Sequence, residues 1–463
     1  MNVLNGLLSV ADSTKAISLL GEVFPVSLNW LGTLIRNLIE GVGIVGVGII
    51  LFSVILKLVV LPFDIYQRIS MSKQNLKMKE MQTKLEKMQK QYANDKAMYN
   101  QKMMELYKEN GISMFSSCLP AILSIVIFIV AINAFTSFSQ YANLQNYNDM
   151  VKAYNASLTE HTATIDDEIT FEEGYIVVKN VNPTQSGKYI YLLVENTENF
   201  TEVTEETKAF IEANKKYRVD TDALYADKKA EVDALLGEGE NALSKEEGCV
   251  LYMQRTAQAS VRDAYRNQIK NNSSFLWIKN IWETDASYKH PVLKYSDFKN
   301  AVQKEKLVTE KGKVSFGKIN SVTSAYTEAS YNEVTAMLNT EKKQANGYYI
   351  LILLSIGTIL LQQVVSMKTQ KEQQKYSSVD GQGAMSQKTM MIVMTVMFAI
   401  FSFMYSSAFS IYMITSNLLS MVTTVVINKL VAISMDKKEQ AALQAKYDRR
   451  FPKKENGKEN KKR

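Results

Sequence analysis

The sequence predicts a mainly α-helical, polytopic membrane protein with five transmembrane helices, a cytoplasmic helical hairpin and an inserted α+β exterior domain. Three observations predict it. Long uncharged windows run over 41–56, 111–148, 347–367 and 389–428, each near or above the roughly 20 residues that one bilayer crossing needs. Charge is segregated: residues 138–346 hold 25 Lys+Arg against 31 Asp+Glu, which leaves 29 basic and 16 acidic residues elsewhere. The hydrophobic fraction is 46% while mean hydropathy is only −0.13, the average of an apolar population and a polar one. Segregation on this scale is the mark of a membrane topology more than of nucleic-acid binding.

In chain order, 1–40 is an exterior N-terminus. The opening MNVLNGLLSV lacks the basic start of a secretory signal, and no lipobox cysteine follows. Within 25–40, Leu28, Leu31, Ile35, Leu38 and Ile39 share one helical face, with Trp30 and Arg36 available to a headgroup layer. This reads as an amphipathic helix lying on the membrane.

The first span, 41–63, is GVGIVGVGIILFSVILKLVVLPF. Gly41-x-Gly43-x-x-Gly46 matches the dinucleotide-binding pattern, but that motif needs a preceding strand and a soluble unit. In an apolar span, small residues serve close helix packing instead. Lys57 is the one charge in 41–62, about 8 Å inside Pro62. A lysine at that depth costs about 2.5–3.5 kcal/mol on insertion scales, which makes it a functional candidate. The competing reading is a stem that snorkels to the nearer headgroups.

Residues 64–112 form the helical hairpin. Ten Lys/Arg lie between 66 and 110, which the positive-inside rule assigns to the cytoplasm, leaving the N-terminus outside. Met78, Met81, Leu85, Met88 and Tyr92 repeat at spacings of three and four, and Tyr99, Met103 and Leu106 resume the pattern after Asn94-Asp95. Such a seam suits either a coiled-coil core or, being rich in methionine, contact with apolar clients and partners. The second span is 113–138, with Asn133 as its polar residue.

The acidic exterior insertion, 139–346, shows a β-hairpin signal in TFEEGYIVVKNV and GKYIYLLVE flanking NPTQS. Helical patterns follow over 204–217, 222–236 and 245–270, and again over 323–343. FLWIKNIWETD suits a segment that touches the bilayer through Trp277 and Trp282. The third span, 347–367, carries Gln362 and Gln363; 368–388 is a cytoplasmic loop. The uncharged run in 389–430 is twice the length of one helix and folds as a two-span hairpin about Ser406-Ser407. The basic tail, 431–463, includes Lys453, Lys454, Lys461, Lys462 and Arg463. Its composition predicts a disordered, cationic segment suited to anionic lipid or ribosomal RNA.

Several function classes fall away. Cys118 and Cys249 cannot make a disulfide framework, and both histidines, His161 and His290, lie in the insertion. No metal cluster, catalytic triad or phosphate loop is evident in the sequence, so no cofactor, no metal and no enzymatic activity is expected. A channel would show polar positions across several spans, and an intramembrane protease would need a histidine or paired aspartates there. A membrane-anchored receptor or adhesion domain remains an alternative.

The order of parts and several motifs resemble the YidC/Oxa/Alb family of membrane-protein insertases, in a Gram-positive-like form with an enlarged exterior region. Lys57 stands five residues before Pro62, where the family has an arginine. QKMMELYKENGISMFSSCLP at 101–120 is similar to the family's end-of-hairpin motif. FLWIKNI, YYILILL, Gln362-Gln363 and IYMITSN at 411–417 resemble later family stretches. The departures are lysine for arginine, Met413 at an aromatic position, and Ser406-Ser407-Ala408 at the final corner.

The resemblance implies a hydrophilic groove lined by Lys57, Asn133, Gln362, Gln363, Tyr412, Met413 and Asn417. It implies nascent membrane proteins as clients, with the lipid bilayer, the ribosome and the Sec translocon as partners and no DNA or small-molecule substrate. The expected location is the cell membrane, N-terminus outside and C-terminus in the cytoplasm. The five-residue spacing to Pro62, with Gln363 and Asn417 for company, favours the groove reading of Lys57.

Overall fold

The computed structural model describes residues 13–111, 119–239, 241–319, 323–369 and 382–450. Cys118 and the lysines and arginine named at 453–463 lie outside them. The chain divides into two compact units. One comprises Met1–Thr33, Ser137–Glu283 and Ser287–Gly347; the other comprises Leu34–Thr136, Thr284–Ala286 and Tyr348–Arg463.

The second unit is built on helices α1 (Trp30–Val42) from Leu34, α2 (Val45–Gln91), α3 (Lys96–Glu109), the part of α4 (Leu119–Glu160) up to Thr136, α7 (Ile350–Thr369), α8 (Gln382–Met404) and α9 (Ser407–Arg450). The glycines of the first span are divided between two jobs. Gly43, at φ +75°, donates its N–H to the Ile39 carbonyl at 2.8 Å and ends α1, so the span begins at Val45 and not at Gly41. A side chain at this φ would be strained. Gly48 lets α2 approach α1, since a Cβ there would stand 2.8 Å from Ile39 Cα. Helix α2 then runs through Pro62 without ending, which a membrane environment tolerates where neighbours re-satisfy the freed carbonyl. The predicted boundary between first span and hairpin is therefore interior to one helix.

Among the described residues, four helices carry a full-length apolar window: Val45–Ser70, Ile125–Glu160, Ile350–Lys368 and Ser407–Ser434. The fifth expected span is α8, whose apolar segment among the described residues is the shorter Thr395–Met404. Two residues, Tyr405 and Ser406, separate α8 from α9, so the final hairpin is as tight as its composition predicts. Aromatic edges hold the bundle: Phe135 packs on Phe52 (centroids 5.5 Å apart) and Tyr412 (5.4 Å), and Phe128 packs on Phe398 (4.6 Å). Such pairs add about 0.5–1.5 kcal/mol beyond the area they bury. Polar links supplement them, among them Ser355 Oγ to Ser402 Oγ at 2.9 Å between α7 and α8. Asp285 caps the start of α7 by accepting from the Tyr348 and Leu351 amides, both at 2.6 Å. Helix α9 continues to Arg450, so the tail from Met435 to Arg450 is helical and not disordered as its charge predicts.

The other unit contains a five-stranded antiparallel sheet of order β1-β5-β4-β3-β2: β1 (Ala16–Ile17), β2 (Glu168–Glu172), β3 (Tyr175–Lys179), β4 (Ile190–Glu195) and β5 (Lys216–Val219). The stretch read as the first arm of one hairpin is two strands, because Glu173-Gly174 turns the chain with Gly174 at φ +80°. Alternation sends Ile176, Val178, Leu192 and Val194 to one face against Ile211 of α5 (Glu205–Asn214), and Val177, Tyr191 and Leu193 to the other. The helix expected over 204–217 stops at Asn214, since sheet pairing claims Lys216 and Tyr217. That expected over 222–236 is two helices, Thr221–Asp227 and Lys229–Leu236. The 323–343 segment holds only short turns of helix, Glu328–Val334 the longest among the described residues.

The larger core joins Leu144, Val151 and Leu158 to Met253, Ala257 and Val261 of α6 (Lys245–Ala264), with Tyr326 and Tyr331. A capping box of Ser244 and Glu247 starts α6. Cys249 on α6 is a buried thiol whose pKa burial pushes up to about 11. Trp282 is 5% exposed and packs on Phe138 at 4.7 Å. It is a core residue and not a bilayer contact; Trp277 is half-buried.

Burial raises the Glu305 carboxyl to about 7, and raises Glu283 to about 7 against the opposing influence of Lys289 and an Asn143 hydrogen bond. A carboxyl whose folded pKa exceeds its unfolded value binds more protons when folded, so stability falls as pH rises from about 4.5 to 7. Hydrogen exchange of α6 amides, corrected for the intrinsic base-catalysed rise, should therefore quicken over that window, and Glu305→Gln should lessen the dependence, leaving the share due to Glu283. An exchange rate for the opening of this unit that is independent of Glu305 would contradict the assignment.

Candidate functional site

Three charged side chains of α2 near Pro62 lie on one face of that helix. Residues 57, 64 and 68 are separated by seven and four positions, close to whole turns of 3.6 residues, so Lys57, Asp64 and Arg68 align. Lys57 Nζ lies 2.7 Å from Asp64 Oδ2, and the two side chains are 15% and 27% exposed. Arg68 donates to Thr424 Oγ1 of α9 at 3.2 Å. Two cations and one carboxylate thus line one face of the helix about Pro62, with Lys57 paired to Asp64 and Arg68 bonded to Thr424.

The pairing settles where the Lys57 stem goes. It runs toward the Pro62 end of the helix, the direction a snorkelling lysine takes, but it ends on a carboxylate of the same helix. Removing either partner would leave the other charge uncompensated, which costs about 3–5 kcal/mol for buried pairs and less where water reaches them. Asp64 and Arg68 escape a reading of the sequence that closes the span at Pro62. The signal that finds them is their spacing from Lys57, once the helix is allowed to continue.

The remaining predicted groove residues take separate partners. Gln363 on α7 accepts from Thr395 Oγ1 of α8 at 2.8 Å. These two residues face an open cavity of about 330 Å³ whose other walls are Leu360, Val364, Met367, Ile392 and Val396. Gln362 is half-buried on the same helix. Asn417 on α9 donates to Thr358 Oγ1 of α7 at 3.3 Å. Tyr412 and Met413 are buried, at 4% and 5% exposure, and Tyr412 packs against Phe135 and Phe409. Asn133 is exposed on α4. Helix α9 packs against both α2 and α7, and so is the element common to the Arg68 and Asn417 contacts.

In the basic hairpin, Met81 and Leu85 are buried with Tyr107, against Met103 and Leu106. The seam closes the hairpin on itself, and Met88 is half-buried beside it; the side chain of Met78 lies outside the described residues. Asp95 caps α3 by accepting from the Met98 amide at 3.0 Å, and Lys77 Nζ donates to the Asn110 carbonyl at 3.0 Å.

A bundle of apolar helices with a half-buried ionic stripe and a packed basic hairpin defines a polytopic membrane protein. The family model described as "60Kd inner membrane protein" matches residues 37–173 and 263–436, and the chain belongs to that family. It is similar to the membrane protein insertase YidC of Fusobacterium nucleatum subsp. nucleatum, 32% identical over 105 residues, which cover 23% of this chain and 49% of the relative. The insertase YidC of Clostridium perfringens is 36% identical over 84 residues, 18% of this chain and 34% of the relative. That of Caldanaerobacter subterraneus subsp. tengcongensis is 39% identical over 98 residues, 21% and 46%. The matches thus span about half or less of the length of these relatives. No solved structure matches the chain. Family and apolar helices together make it a multi-pass protein of the cell membrane.

Leu85 is 1% exposed at the centre of the hairpin seam. Leu85→Ala should destabilise the hairpin by about 2–5 kcal/mol, seen as faster trypsin cleavage at Lys84 and Lys87 with the apolar helices still protected.

Proposed function

We propose that this protein inserts nascent membrane proteins into the bilayer, holding the polar part of a client at the Lys57 stripe while the client's apolar helix passes into lipid. The observation that supports this reading is the stripe itself. The apolar window Val45–Ser70 keeps two cations and one carboxylate on one helix face, at a standing cost. A client segment carrying acidic residues needs a cationic, wetted place to rest, and Lys57, Gln363 and Asn417 offer one positive charge and two amides.

No covalent chemistry is required of the protein. Transfer of about 20 apolar residues into the bilayer drives the reaction, and the membrane potential adds about 2.3 kcal/mol per charge per 100 mV. The basic hairpin faces the cytoplasm in this reading, with the N-terminus outside and the tail inside. The ribosome and the Sec translocon are further partners, and the tail is the segment to meet ribosomal RNA or anionic lipid.

Lys57→Ala should lower insertion of a client with an acidic translocated tail by about ten-fold, equivalent to ~1.4 kcal/mol, and spare a client with a neutral tail. Protease protection of clients synthesised into proteoliposomes measures it. Equal insertion of the acidic client at equal protein level would sink the charge model.

A further inference from the structure

The resting charge balance of the stripe is unequal: Lys57 and Arg68 contribute two positive charges and Asp64 one negative. We propose that Asp64 is a shuttling, specificity-setting carboxylate, which occupies Lys57 when no client is present and turns to Arg68 when a client carboxylate takes Lys57. The proposal rests on the insertase reading and names the residue that sets its charge selectivity.

Geometry provides both end states. Asp64 already contacts Lys57 at 2.7 Å across two helical turns. Arg68 is four residues on, the spacing at which Asp and Arg on one helix pair favourably. In the resting state Arg68 bonds the neutral hydroxyl of Thr424 at 3.2 Å, and a guanidinium with five donors has others to offer.

Binding of one client carboxylate makes the set neutral, with each carboxylate facing one cation. A client with no acidic residue must either leave the Lys57–Asp64 pair closed or break it without replacement. The site therefore rejects neutral tails through a cost and accepts acidic ones by exchange, which is selectivity by a difference of states. No proton is transferred and no bond other than hydrogen bonds and ion pairs is exchanged.

The test uses full-length protein in proteoliposomes and four model clients whose translocated tails carry zero to three aspartates, read as the ratio of acidic-client to neutral-client insertion. Asp64→Asn should raise insertion of the one-aspartate client about five-fold, toward the three-aspartate level. Arg68→Gln, which keeps the Lys57–Asp64 pair, should lower the acidic-to-neutral ratio about five-fold by removing the second berth, and Asp64→Asn/Arg68→Gln should restore it. A ratio unchanged in Arg68→Gln, or a loss in Arg68→Gln that Asp64→Asn does not rescue, overturns the shuttle and leaves Asp64 as a neutralising partner. If Asp64→Asn fails to fold, Asp64→Ser takes its place in both the single and the double variant. Lys57→Ala in the same assay separates the two levels: a charge response that survives it overturns the insertase reading of the stripe, whereas a lost response with an unmoved Arg68→Gln ratio overturns only the shuttle.

Discussion

Hydrocarbon leaves a charge or a backbone polar group no solvent to fall back on, so each must find its partner within the protein. The Lys57–Asp64 contact is this constraint in its sharpest form here. It fixes the direction of the lysine stem and requires α2 to stay helical through Pro62, since two turns of regular helix bring the carboxylate under the ammonium. It also commits the following turn, with Arg68, to the same face. The hairpin's first strand of packing, Met81 and Leu85, continues from that uninterrupted helix.

The same demand for satisfied polar groups organises the start of α7. Asp285 receives the Leu351 amide N–H, one of those that a helix start leaves without intrahelical partners, together with the Tyr348 amide just before the helix. Thr284 beside it donates to the Tyr405 carbonyl at 2.9 Å, at the corner between α8 and α9. A three-residue segment of chain, Thr284–Ala286, thereby serves two helix ends at once. Tyr349 takes a left-handed φ of +65° at this junction, a strain that the Asp285 contacts help to hold.

Much of this was legible in the sequence, and the misses have physical causes. Apolar runs located the helices because hydrocarbon tolerates nothing else, and the three- and four-residue spacing of Met81, Leu85, Met103 and Leu106 located the hairpin. Lys57 stood out because it was alone in its run. Asp64 did not, because a proline followed by an acid reads as the end of a span, while a long helix can carry both. Trp282 reads as an interfacial residue by type, yet packing against Phe138 decided its place. Lys216 and Tyr217 lie in a helical pattern, but an open sheet edge beside β4 outweighs local propensity over four residues. The tail to Arg450 is charged enough to look disordered, whereas a helix already nucleated within α9 extends at little cost.

The lysine itself is the point at which this chain's chemistry departs from the arginine of the family it resembles. An arginine fork holds a carboxylate with two parallel hydrogen bonds and fixes its geometry; an ammonium is a compact point charge that accepts a carboxylate from many directions. For the carboxylate exchange proposed above, the second property lowers the barrier to release. Holding the shared acid between a lysine and an arginine then makes sense of the order along α2. In the proposed exchange the partner that lets go is the lysine, 15% exposed, while the guanidinium, bonded to Thr424 in the resting state, has further donors for the carboxylate.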